Sequence, residues 1–126
     1  MVFLIVDSSD IIKERLVFLI SESGSTNKYI HCAGSYDDAA LLFEETKPDV
    51  VLLDMYLPGH KSVDFFKMVK KSNNPVSLIV FVNHADHVTR EHYEWVGADF
   101  VFDKYKDFEK IPLAVNAIAA RLAGSQ

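Results

Sequence analysis

With a single cysteine, Cys32, the chain can close no internal disulfide. Cys32 falls in an apolar stretch, where a buried, inert thiol is expected, and a reducing cytoplasm is the natural setting. Proline and glycine are scarce, at four and five of 126 residues, and no repeat or low-complexity tract interrupts the chain. Both facts exclude a disordered or fibrous polypeptide. Positive charge is in deficit: 13 Lys and Arg face 18 Asp and Glu, for a net charge of -5. A surface that grips nucleic acid by its phosphates is therefore not expected. Long apolar runs are missing as well. MVFLIV meets Asp7 after six residues, too short for a signal peptide or a membrane span, so no membrane partner is expected.

What the chain does have is a globular composition, 49% apolar and 25% charged, at a length that encloses one core, so residues 1–126 read as one domain. Short apolar runs at 2–6, 29–33, 50–53, 77–82 and 100–102 read as strands. Between them lie segments of helical period. Ile12, Leu16, Leu19 and Ile20 share a face behind a cap at Ser8 or Ser9, with Asp10 near the positive helix end. Ser35 and Asp38 have capping-box spacing ahead of Ala39, Leu42 and Phe43, and Lys47 and Pro48 stop that helix. Ser23 to Asn27 and Pro58-Gly59 are turns, and Phe65, Phe66 and Val69 mark a third helix. A fourth runs over 87–96 to a C-terminal cap at Gly97, and Ile111, Val115, Ile118 and Leu122 define a fifth. Strands alternating with helices predict a doubly wound parallel α/β sheet, in which ligands bind beyond the carboxyl ends of the strands.

Those ends carry chemistry. Strand one stops at Asp7-Ser8-Ser9-Asp10, strand three at Asp54, strand four at Val82-Asn83-His84 and strand five at Asp103-Lys104. If Asp7, Asp54 and Lys104 converge, two carboxylates share a small volume and require a cation. Hard oxygen ligands suit Mg²⁺, which takes one or two protein carboxylates, waters and phosphoryl oxygens. Lys104 adds a compact positive charge. The set favours phosphoryl transfer onto Asp54, held at fixed depth by a central strand while the following loop leaves one face open to a donor.

IVDSSDIIKERL, PDVVLLDMYLPG, the apolar strand before VNHAD, and GADFVFDK together resemble the receiver domain of bacterial two-component response regulators, of the chemotaxis-receiver kind. The resemblance implies a flavodoxin-like sheet in the order 2-1-3-4-5. It also implies a phosphoryl group accepted by Asp54 from a sensor histidine kinase or phosphotransfer protein, in Mg²⁺-dependent phosphorelay signalling. Mg²⁺ would be held by Asp7, Asp54 and the backbone carbonyl of Tyr56, Lys104 would contact the phosphoryl group, and Tyr56 and His84 would modulate its lifetime. A downstream protein would dock on the face of helix 4, strand 5 and helix 5.

Three departures stand out. Ser8 occupies the place of a second acidic residue, so metal affinity should fall, and Asp10 is expected in the first helical turn rather than as a substitute. Val82, or Asn83 if the register shifts by one, takes the switch position, and Val82 lacks the hydroxyl. Val101 and Tyr105 replace an aromatic residue and a proline. The first reading is a stand-alone receiver with no output domain and no enzymatic activity of its own. Its alternative is a degenerate pseudo-receiver that docks proteins independently of phosphorylation, motivated by Ser8 and Val82. A phosphatase of the haloacid-dehalogenase type would need a carboxylate where Tyr56 stands, and a flavodoxin-like binder would need a Gly-rich loop where Asp7 and Asp10 stand. Of Tyr93 and Trp95, one is expected to pack inward and the other to present an anchor for a partner. His31, His60, His87 and His92 show no metal-ligand spacing.

Overall fold

The computed structural model describes residues 1–24, 27–59 and 61–124. His60 and part of the turn expected at 23–27 lie outside the described residues. Five parallel strands, β1 (Val2–Val6), β2 (Tyr29–Ala33), β3 (Val50–Asp54), β4 (Ser77–Val82) and β5 (Phe100–Asp103), form one sheet in the order β2-β1-β3-β4-β5. Helices α1 (Asp10–Ser21), α2 (Tyr36–Thr46), α3 (Ser62–Lys70) and α4 (His87–Trp95) make the crossovers, and α5 (Ile111–Gly124) follows β5 after a 3₁₀ turn at Phe108–Lys110. The flavodoxin-like order expected from the resemblance is the observed one.

Each central strand is apolar on both faces because helices cover both. Leu4, Val6, Val51, Leu53, Leu78, Val80 and Val82 face α2, α3 and α4, where Ala39, Phe43, Phe65, Phe66 and Val69 complete the layer. Phe3, Ile5, Val50, Leu52, Ile79 and Phe81 face α1 and α5, against Leu16, Ile20, Ile111, Val115 and Ile118. Burying side chains of this size contributes about 1.5–3 kcal/mol each, which fixes the depth of every strand end.

The helix starts follow their caps. Ser9 accepts from the Ile12 N–H, Ser35 from the Asp38 N–H and Asp86 from the Thr89 N–H. Lys47, in the left-handed region at φ 47, closes α2 before Pro48. Gly97 closes the turn after α4 at φ +117, and a Cβ there would lie 2.6 Å from the Lys70 side chain. Strands β3 and β5 each run one residue past the expected ends, to Asp54 and Asp103.

Cys32 corrects the expectation of a buried thiol: it is exposed. Its neighbours in sequence are apolar, but β2 is an edge strand, and only Ala33 of its five residues is buried. Tyr93 packs on Phe66, with ring centroids 6.5 Å apart, while Trp95 is 89% exposed. Among the described residues no helix is long and apolar enough to cross a membrane.

Candidate functional site

The carboxyl ends of β1, β3 and β5 bring Asp7, Asp54 and Lys104 together. Lys104 Nζ lies 2.5 Å from Asp54 Oδ2 and 3.2 Å from Asp7 Oδ2. Both carboxylates are in residues only 2% exposed, and the lysine side chain is 12% exposed. Burial pulls the Lys104 pKa down, but the hydrogen bond and charge of Asp54, with those of Asp7, outweigh it, and the net shift is upward. The ammonium is therefore charged at neutral pH and satisfies two buried carboxylates at once.

The remaining carboxylate oxygens are taken by backbone. Asp54 Oδ1 accepts from the Tyr56 N–H at 2.9 Å, and Asp7 Oδ1 accepts from the Ser9 N–H at 2.8 Å. The Asp7 N–H donates to the Ala33 carbonyl at 3.0 Å, tying the end of β1 to that of β2. Lys104 meets Asp54 and Asp7 at the strand ends where the three were expected to converge. Asp54 is not walled in by hydrocarbon, but Lys104 lies across it, because an ammonium offsets the repulsion of a buried acidic pair more effectively than water reaching so small a site.

The other expected residues divide. Ser8, Asn83 and His84 are exposed, and Tyr56 is 52% exposed beside Asp54. Asp10 is turned to solvent and pairs with Lys13 at 3.3 Å, so it takes no part in the acidic pair. Val82 is fully buried in the same apolar layer as Val101, and its carbonyl accepts from the Lys104 N–H at 2.9 Å. That carbonyl links β4 to the lysine through backbone alone.

Four residues that sequence reasoning did not single out for the site support it. Tyr36 donates its hydroxyl to the Asp54 carbonyl at 2.7 Å and accepts from the Leu57 N–H at 3.0 Å. Burial pushes the Tyr36 phenol up in pKa, with the Leu57 N–H opposing, and so keeps the hydroxyl protonated. Asp103 Oδ1 accepts from the N–H groups of Tyr105 and Lys106, at 2.9 and 3.1 Å. A proline at 105 has no N–H to give, so Tyr105 lets Asp103 shape the turn that carries Lys104. Asp107 Oδ2 takes the Asp103 N–H at 2.7 Å and the Arg90 guanidinium at 2.9 Å, while Oδ1 takes Lys110. Arg90 also reaches the Ala85 carbonyl at 2.8 Å and the Val101 carbonyl at 2.5 Å. Tyr36 went unread although its spacing to Ala39 and Phe43, three and seven residues on, is a signal that could have placed it inward; no local pattern pairs Asp107 with Arg90.

Among the described residues, no group of three His, Cys, Asp or Glu side chains could hold a metal ion. A divalent ion would depend on Asp7, Asp54, backbone oxygen and water. Two hard, convergent carboxylates that already share one cation fit Mg²⁺, which keeps several waters.

The family model of the response regulator receiver domain matches residues 3–116. The chain is 30% identical over 91 residues to the transcriptional regulatory protein YdfI of Bacillus subtilis, covering 72% of this chain and 42% of that protein. It is 24% identical over 122 residues to the phosphate regulon transcriptional regulatory protein PhoB of Escherichia coli, covering 95% of this chain and 52% of that protein. The chain thus spans about half the length of these curated relatives. A response regulator receiver domain protein from Clostridium thermocellum shares the fold with a TM-score of 0.82 at 22% identity, over 99% of this chain and 98% of that one. Matched along most of its length and folded in the same sheet order, the chain belongs to the response regulator receiver domain family.

Proposed function

We propose that this receiver accepts a phosphoryl group on Asp54, from a histidine kinase or a phosphotransfer protein, in an Mg²⁺-dependent step. The observation that carries the reading is the buried Asp7–Lys104–Asp54 arrangement at three strand ends. An Asp54 carboxylate oxygen attacks phosphorus, and the bond from phosphorus to the donor nitrogen or oxygen breaks. The product is an acyl phosphate, and the leaving group carries away the bonding pair and takes up a proton. Lys104 shifts from the carboxylate to a phosphoryl oxygen, while the Tyr56 N–H holds Asp54 Oδ1 in place. Asp7, Asp54 and the Tyr56 carbonyl would hold Mg²⁺, which when bound neutralises phosphoryl charge. In this reading Val82 takes the place of a hydroxyl-bearing switch residue, and the exposed side chains of Tyr56 and His84 would admit or hinder water.

Incubation with phosphoramidate and Mg²⁺, followed by intact-mass measurement, tests this reading. One phosphoryl mass, labile to hydroxylamine and missing in Asp54→Asn, is expected. No adduct on a folded, Mg²⁺-treated protein would favour the second reading, a phosphorylation-independent docking module, which the buried methyls of Val82 and the hydroxyl of Ser8 support. In either case output through the face of α4, β5 and α5 agrees with the exposed Val88, Trp95, Tyr105 and Leu113.

A further inference from the structure

We infer that Tyr36 is a positioning residue for the metal and phosphoryl site, fixing through its hydroxyl the arc of chain from Asp54 to Leu57. The inference rests on the phosphoacceptor reading above. Both ends of the arc hang on one oxygen: it donates to the Asp54 carbonyl and accepts from the Leu57 N–H. Between those pinned groups lies Tyr56, whose N–H holds Asp54 Oδ1 and whose carbonyl is the expected backbone ligand of Mg²⁺.

A side-chain carboxylate can rotate to meet a cation. A backbone carbonyl cannot, so its aim must come from the peptide groups on either side. Tyr36 is suited to set that aim because it is itself immobile. The residue is 3% exposed, opens α2 directly after the Ser35 cap, and has its ring stacked on Phe65 with centroids 6.4 Å apart. Leu57 is also buried. Loss of the hydroxyl would leave a buried N–H without its acceptor and a strand-end carbonyl without its donor, and the arc would move to find others.

Tyr36→Phe keeps the ring and removes the oxygen. Titrated with Mg²⁺ alone, by calorimetry and by amide chemical shifts, the variant should bind about 5- to 10-fold more weakly than the parent. Its adduct with phosphoramidate at saturating Mg²⁺ should form more slowly. Phe43→Leu, on the same helix and packed edge-on to Phe65 at 6.2 Å, lowers stability without touching the hydroxyl and should keep the parent Mg²⁺ affinity and rate. Parent-like Mg²⁺ affinity and rate in Tyr36→Phe, or equal weakening in Phe43→Leu, overturns the inference by reducing Tyr36 to a packing residue. Should Tyr36→Phe fail to fold, the parent protein decides: Mg²⁺ must shift the Leu57 amide resonance, and an unmoved Leu57 refutes the coupling. A parent protein that binds no Mg²⁺ and gains no adduct overturns the functional reading itself, and this inference with it.

Discussion

Lys104→Met keeps most of the side-chain stem and deletes the ammonium that stands 2.5 Å from Asp54 and 3.2 Å from Asp7. Removing one partner of a buried ion pair costs about 3–5 kcal/mol, because it leaves a charge uncompensated. Here two carboxylates are left facing each other, but they stand at a strand end where water can enter and relieve part of the strain. The expected loss at neutral pH in chelator is therefore at the low end, about 3 kcal/mol. With an unfolding entropy of about 2.1 cal/mol/K per residue, this is a fall of roughly 11 °C in Tm. Two dependences identify the cause. The loss should shrink in Mg²⁺, which meets no competing ammonium in the variant and so binds it more tightly than the parent; an ion at a hundred times its Kd adds about 2.7 kcal/mol. It should shrink on the alkaline side as well, where the parent weakens. Its raised Lys104 pKa gives stability fully present below the ordinary lysine value and lost as pH rises through the folded value, a loss the variant should not show. Urea unfolding followed by far-UV circular dichroism, from neutral to alkaline pH with and without Mg²⁺, measures the loss and both dependences. A variant as stable as the parent in chelator, or a loss indifferent to both pH and Mg²⁺, would refute the view that Lys104 balances the acidic pair.

Three other substitutions test separate parts of the structure. Ser8→Asp adds a carboxylate beside Asp7 and should tighten Mg²⁺ about tenfold; an unchanged calorimetric Kd would place position 8 out of the ion's reach. Asp107→Asn weakens the links to Arg90, Lys110 and the Asp103 N–H, and about 2 kcal/mol should be lost at neutral pH. Burial raises the Asp107 pKa, but the hydrogen bonds from Asp103, Lys110 and Arg90 overcome it and hold it low. Its share of stability is thus present above the ordinary aspartate value and disappears as pH falls through the folded one, so acid unfolding curves of parent and variant should converge, and parallel curves would contradict the assignment. Gly97→Ala must adopt φ +117 and displace Lys70, for about 1–2 kcal/mol. A Tm within a degree or so of the parent would show that the turn relaxes freely.

The strands were legible because a parallel sheet covered on both faces leaves apolar runs without alternation, and all five lie where such runs occur. Asp54 was legible for the complementary reason: a carboxylate directly behind Val50 to Leu53 contradicts its surroundings unless something compensates it. The caps at Ser9 and Ser35 are local chemistry and could be read from three or four residues. What could not be read depended on which strands lie at the edge and on partners remote in sequence. Cys32 has apolar neighbours, yet strand order puts it outside. Asp107 sits in the charged run KYKDFEK, where an exposed carboxylate is the default, and only α4 folding back supplies Arg90. Tyr36 could be assigned inward from its spacing, but its hydroxyl meets a strand end 18 residues away in sequence. The meeting of Lys104 with Asp7 and Asp54, by contrast, was expected from the strand ends, because it follows from the depth at which three strands stop.

The position of Cys32 also has a practical use. It is the sole sulfhydryl in the chain and adjoins Ala33, whose carbonyl receives the amide of Asp7. A fluorophore or spin label attached there needs no engineered cysteine and stands one residue from a contact that steadies the acidic pair. Desolvation holds the thiol's pKa up despite Lys13, so coupling calls for mildly alkaline buffer, after which the probe would monitor cation exchange at the neighbouring strand terminus from outside it.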